Sequence, residues 1–180
     1  MDPHAIEGMT YELLSEHGMQ RTIPVPLTAL AEALGVTVVR TVFTDLTISG
    51  LIILQNGRAT IHVNPQEPLV RQRFTAAHEL GHYWLHLRAQ HAEGGFVDTK
   101  MTIEAVDDPV DDLAEPAIAF RRQNSTGPHE RDANRFAAAL LMPAPLVRAT
   151  YNAPADLPRL AEWFGVSLGS LAIRLRELHL

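Results

Sequence analysis

The chain has no cysteine, which excludes disulfides, thiolate metal sites and thiol nucleophiles. It has no long hydrophobic run. The longest apolar stretches, residues 51–54 and 137–142, fall far short of the roughly 20 residues needed to cross a bilayer. The start, Met1-Asp2-Pro3-His4, lacks the basic and apolar regions of a secretory signal. It also lacks a basic surplus: Lys and Arg number 15 against 21 acids, a net charge of −6. That argues against a general nucleic-acid binder, whose phosphate contacts need cations. What remains is 180 residues that are 46% hydrophobic, enough to bury a core. A cytoplasmic protein with no membrane or direct nucleic-acid partner is expected.

Pro24 and Pro26 precede a helix-spaced run, Leu27 to Leu34, stopped by Gly35. Residues 36–43 are β-branched and read as a strand. Asn56-Gly57, between Leu51–Gln55 and Ala59–Val63, is a strong hairpin signal. A long helix is expected over residues 69–87 and a second over 130–142, the latter ended by Pro143 and Pro145. Residues 88–129 read as an irregular insertion. Within it, residues 101–120 hold six acids and no base, a charge that suits the steering of a basic substrate or a lid over a cleft. Two short helical segments, residues 160–164 and 168–178, joined by Gly165-Val166-Ser167, suggest a helix-turn-helix-like tail. The expected division is thus a main domain of residues 1–150 and a tail of residues 151–180. The tail holds three Arg against two Glu and one Asp, so it is not expected to read DNA.

The chemistry concentrates in His78-Glu79-Leu80-Gly81-His82. On a helix, residues at i and i+4 share a face about 6 Å apart along the axis. Two imidazoles so placed can reach one Zn²⁺ and leave a position open. Glu79 is placed to act as general base on a water that such an ion acidifies, for attack on a carbonyl. Composition alone produces this motif in about 3% of such chains, so more is required. Glu130, at the start of the second helix, is the best third ligand; Asp132, His129, His91 and Asp98 are rivals. Asp132 points about 200° away from Glu130 on a helix. Asn134, one turn after Glu130, can accept a hydrogen bond from the second nitrogen of a metal-bound imidazole. His86 continues the series but drifts about 80° from His78 on an α-helix, so packing or capping is its expected role. The strand Ala59–Val63 leads into the metal helix, and Ile61, His62 and Val63 are the candidate edge for aligning a substrate strand. His62, Tyr83, Tyr151 and His129 are candidates to stabilise an oxyanion.

Two blocks, Arg73-Phe74-Thr75-Ala76-Ala77-His78-Glu79-Leu80-Gly81-His82 and Glu130-Arg131-Asp132-Ala133-Asn134-Arg135-Phe136 running on to Leu140-Leu141-Met142-Pro143, resemble the ImmA/IrrE family of bacterial zinc metallopeptidases. The resemblance extends over residues 20–180, with residues 88–128 poorly matched. It implies an α+β, zincin-like metallopeptidase. A small mixed or antiparallel sheet of about three strands would pack on the metal-binding helix and on a second ligand-bearing helix. It implies Zn²⁺, with Mn²⁺ able to substitute in vitro, held by His78, His82 and Glu130, with Glu79 as catalytic base. It further implies cleavage of a helix-turn-helix repressor or antitoxin encoded alongside, derepressing phage, mobile-element or stress genes. The alternative expectation is a non-proteolytic module of a toxin–antitoxin-like operon that holds a partner with the same fold.

Overall fold

In a computed structural model of the chain, which describes residues 1–88, 94–99, 120–122, 127–151 and 156–180, the protein is a mixed α+β structure. Its first half runs α1 (Pro3–Glu16), α2 (Leu27–Ala33), β1 (Val36–Arg40), β2 (Ile48–Gln55) and β3 (Arg58–Val63). Next come α3 (Leu69–His82), a π-helical turn (Tyr83–Leu87), β4 (Gly94–Thr99) and β5 (Phe120–Arg122). Four helices complete the described chain: α4 (Pro128–Leu141), α5 (Ala144–Thr150), α6 (Leu157–Phe164) and α7 (Leu168–Glu177). No helix among the described residues is long and apolar enough to cross a membrane. The acidic stretch of residues 101–119 and the candidate ligand His91 lie outside the described residues.

The β2–β3 turn is the one the dipeptide demands. Asn56 and Gly57 both take positive φ, 51° and 72°, the pair required when two residues join twisted antiparallel strands. Among the described residues the sheet has five strands in the order β1-β3-β2-β4-β5. β1 is parallel to β3 and β5 to β4, while β2 runs antiparallel to both β3 and β4. The expected three strands are β1 to β3. The insertion expected to be irregular supplies β4 and β5. One expectation is overturned: β3 is not an edge. It pairs with β1 on one side and β2 on the other, so its backbone has no free ladder to offer a substrate, and among the described strands the edges are β1 and β5.

Alternation along the strands fixes which face meets the helices. Ala59, Ile61 and Val63 of β3 and Ile52 and Leu54 of β2 are buried in the core with Leu80 and Ala77 of α3. The core continues through Phe136, Leu140 and Leu141 of α4 into Leu160, Phe164, Leu171 and Leu175 of the two last helices. Those helices are tied down by arginines. Arg73 of α3 donates to the carbonyls of Gly165 (3.2 Å) and Val25 (3.0 Å). Arg174, 2% exposed, donates to the Met142 carbonyl at 3.0 Å and pairs with the Glu7 carboxylate.

Candidate metal centre

Helices α3 and α4 pack closely because α3 carries a glycine at the crossing. A Cβ on Gly81 would lie 3.2 Å from the Ala133 Cα and 3.1 Å from the Phe136 ring. This contact brings the C-terminal half of α3, with His78 and His82, against the first turns of α4. Gly127 caps α4 in an extended conformation and Pro128 follows with its pre-set φ. Glu130 therefore stands in the first turn, where the helix dipole favours a carboxylate.

His78, His82 and Glu130 converge as a buried group able to hold a metal ion. The Nε2 atoms of His78 and His82 are 3.0 Å apart. Each lies 3.2 Å from one oxygen of the Glu130 carboxylate. Four-coordinate zinc with bonds of 2.0–2.1 Å sets its ligand atoms about 3.3 Å apart. The observed separations are close to that spacing.

The donor chemistry fits as well. Nδ1 of His78 lies 3.0 Å from Oδ1 of Asn134, an acceptor, so the ring proton sits on Nδ1. Nε2 of His78, 3.0 Å from Nε2 of His82 and 3.2 Å from the Glu130 carboxylate, is then the nitrogen that faces the group. Two imidazole nitrogens and a carboxylate at this distance are held together by a shared proton or by a cation lying among them. Burial holds His82 neutral, lowering its pKa to about 4 against the hydrogen bond that its protonated ring would donate to Glu130. Burial alone would raise Glu130, but the hydrogen bonds that His78 and His82 can donate to its ionised form outweigh it and bring its pKa down to about 2. At neutral pH His82 is thus a neutral imidazole and Glu130 a carboxylate, the protonation states that bind metal.

Glu79 lies fully buried between the two histidines in the chain. Two of the rival ligands, Asp132 and His129, are engaged elsewhere. Asp132 accepts the ammonium of Met1 at 2.9 and 3.1 Å, on the side of α4 facing α1. His129 pairs with His86, with their Nδ1 atoms 3.0 Å apart; sequence reasoning missed this pair, because it assumed α-helical geometry beyond His82. Asp98 falls in β4.

The proposed substrate-aligning residues are not brought to the group. Ile61 and Val63 are core residues. His62, by alternation, points from the opposite face of the sheet, where its Nδ1 meets the Thr41 hydroxyl at 2.8 Å. Of the other oxyanion candidates, Tyr83 opens the π-turn and Tyr151 follows α5, both half-buried.

A family model described as the IrrE N-terminal-like domain, peptidase M78, matches residues 31–105 and 111–176. These segments include His78, Glu79, His82, Glu130 and Asn134. No curated protein matches the chain. The match spans most of the sequence, so the chain belongs to the peptidase M78 family of IrrE N-terminal-like domains.

Proposed function

We propose that the protein is a zinc-dependent endopeptidase of zincin-like construction that cleaves a helix-turn-helix repressor or antitoxin encoded beside it. The single observation that carries the reading is the buried convergence of His78, His82 and Glu130, in a chain of a peptidase family. His78, His82 and Glu130 would hold the ion, and Asn134 would orient His78. A bound Zn²⁺ would supply Lewis acidity, polarising a peptide carbonyl and acidifying water. Glu79 is assigned the proton: its carboxylate accepts it from the attacking water and returns it to the leaving amine.

A binding module that had lost catalysis would have no use for a buried glutamate beside two metal-binding histidines, since burying an ionisable group is costly. Glu79 therefore favours the enzyme over the partner-holding module. The last two helices are assigned to a helix-turn-helix-like tail that packs on the peptidase body and reads no DNA. The test is incubation of the protein, with Zn²⁺ or Mn²⁺, with the helix-turn-helix protein of the neighbouring gene. Two discrete fragments are expected from the wild type and none from Glu79→Gln. An intact partner that co-purifies stably with the wild type in the presence of metal would replace the peptidase by the partner-binding module.

A further inference from the structure

The helix that carries His78 and His82 does not continue as an α-helix. Residues Tyr83–Leu87 form a π-turn, closed by the Arg88 amide donating to the Tyr83 carbonyl at 3.0 Å. In an α-helix four residues overshoot a full turn by about 40°, and His86 would drift away from the metal-binding face. A π-turn closes i→i+5 bonds and holds roughly 4.4 residues, so four residues fall short of a full turn instead. The overshoot is cancelled. His86 comes back over His82, with ring centroids 5.7 Å apart, and is 7% exposed. Isolated π-turns of this kind are rare and cluster at functional sites.

There His86 meets the residue that precedes Glu130. Its Nε2 lies 3.4 Å from the His129 carbonyl oxygen, which can only accept, so Nε2 carries the proton. Nδ1 of His86 is then a lone pair, and Nδ1–H of His129 donates to it at 3.0 Å. One imidazole thus donates to the backbone of residue 129 and accepts from its side chain. Both bonds act on the first turn of α4, one residue from the Glu130 carboxylate. First turns of helices are otherwise prone to fray, because their N–H groups have no partner within the helix. The Gly127 cap supplies no side-chain hydrogen bond here.

We propose that His86, carried onto the metal face by the π-turn, is a positioning residue for Glu130: its paired hydrogen bonds to His129 clamp the first turn of α4 so that the carboxylate meets His78 and His82. The clamp holds the ligand and does not touch the ion. The inference rests on the metal-centre reading above.

The test measures Zn²⁺ affinity by chelator competition, the visible spectrum of the Co²⁺-loaded protein, and apo-protein thermal melting. His86→Leu removes both bonds at similar volume. It is expected to weaken Zn²⁺ binding by about 10–100-fold, the range for groups that support metal ligands from behind, and to change the Co²⁺ spectrum. His86→Gln keeps a donor and an acceptor and is expected to recover most of the loss. His129→Leu, at a half-exposed position, removes only the side-chain bond and should weaken binding less. Combined with His86→Leu, it should add nothing, because both act through one contact.

Should His86→Leu fail to fold, His129→Leu alone carries the comparison, and unchanged affinity there overturns the clamp. A role confined to stability would lower melting yet leave the Co²⁺ spectrum as in the wild type, which also overturns it. So would a second Zn²⁺ bound by the wild type and lost in His129→Leu, since the pair would then itself be a cation site. A wild-type protein that takes up no Zn²⁺ sinks the metal-centre reading and not merely the clamp.

Discussion

Asn134 of α4 accepts a hydrogen bond from Nδ1 of His78 on α3 at 3.0 Å, one helical turn beyond Glu130. One helix thereby supplies both a carboxylate to the candidate metal group and the acceptor that fixes the tautomer of one of its imidazoles. Groups in this position cost about 10–100-fold in metal affinity when removed. Asn134→Leu is therefore expected to weaken Zn²⁺ binding within that range, read by chelator competition. Asn134→Asp, which keeps an acceptor and adds charge, should bind at least as tightly as the wild type. Equal affinity of the Leu variant would mean that His78 needs no orienting partner.

Glu130 supplies the only carboxylate in the group. Glu130→Gln keeps the shape and a carbonyl oxygen but removes the negative charge that balances a divalent ion. Zn²⁺ retention is expected to fall by at least ~10²-fold, more than for a supporting group, while far-ultraviolet circular dichroism stays native. If metal content on desalting is unchanged, the third ligand is not Glu130.

Glu79 differs from its neighbours in assigned role, and the difference is measurable. Glu79→Gln should retain the full complement of Zn²⁺ and lose hydrolysis by at least ~10²-fold, the low end of general-base contributions. Binding of the intact protein substrate should persist. Loss of metal together with activity would make Glu79 a ligand or a folding residue instead.

Much of this arrangement is written locally. The i, i+4 spacing of His78 and His82, and of Glu130 and Asn134, needs only α-helical geometry to place each pair on one face. The Asn56-Gly57 turn needs only its two positive φ values. Three features were not legible. β3 carries the alternation of a half-buried strand, and that pattern does not say whether one or two neighbours flank it. β1 covers the edge through a parallel pairing between segments some twenty residues apart. β4 and β5 depend on pairing with β2 and with each other, and no turn signal joins them. The π-turn replaces i→i+4 bonds by i→i+5 bonds with no glycine or proline to mark it. It turned His86 from an outlying residue into a neighbour of His129.

The His62 ring gives a dependence on pH that is separate from the metal group. Burial lowers its pKa below the ordinary 6.5, so the folded protein resists the proton that the unfolded chain accepts. The sign follows from linkage: the contribution to stability is complete above pH 6.5 and is lost as pH falls through the window below it. Melting of the metal-free protein should therefore drop between pH 7 and pH 5, and His62→Gln should drop less over the same interval. The Gln amide can still meet the Thr41 hydroxyl. If wild type and variant lose the same number of degrees, His62 contributes nothing to the acid sensitivity.

Gly81 decides how closely α3 and α4 approach, and two effects of opposite sign meet there. Replacing a helical glycine by alanine ordinarily gains about 0.8–1.0 kcal/mol through backbone entropy. Here the new methyl would lie 3.1–3.2 Å from Phe136 and from the Ala133 backbone, too near for van der Waals contact. Phe136 is 0% exposed and cannot swing into solvent, and Ala133 Cα moves only with its helix. Overpacking a filled core costs about 1–3 kcal/mol, so the clash should win. Gly81→Ala is expected to lower the melting temperature. It should also weaken Zn²⁺ binding, because α4 must back away and carry Glu130 with it. Adding Phe136→Leu removes the ring but not the backbone contact. The double variant should therefore recover part of the metal affinity that Gly81→Ala alone has lost. An alanine variant that is more stable and binds metal unchanged would show that the two helices do not meet as closely as 3.2 Å implies.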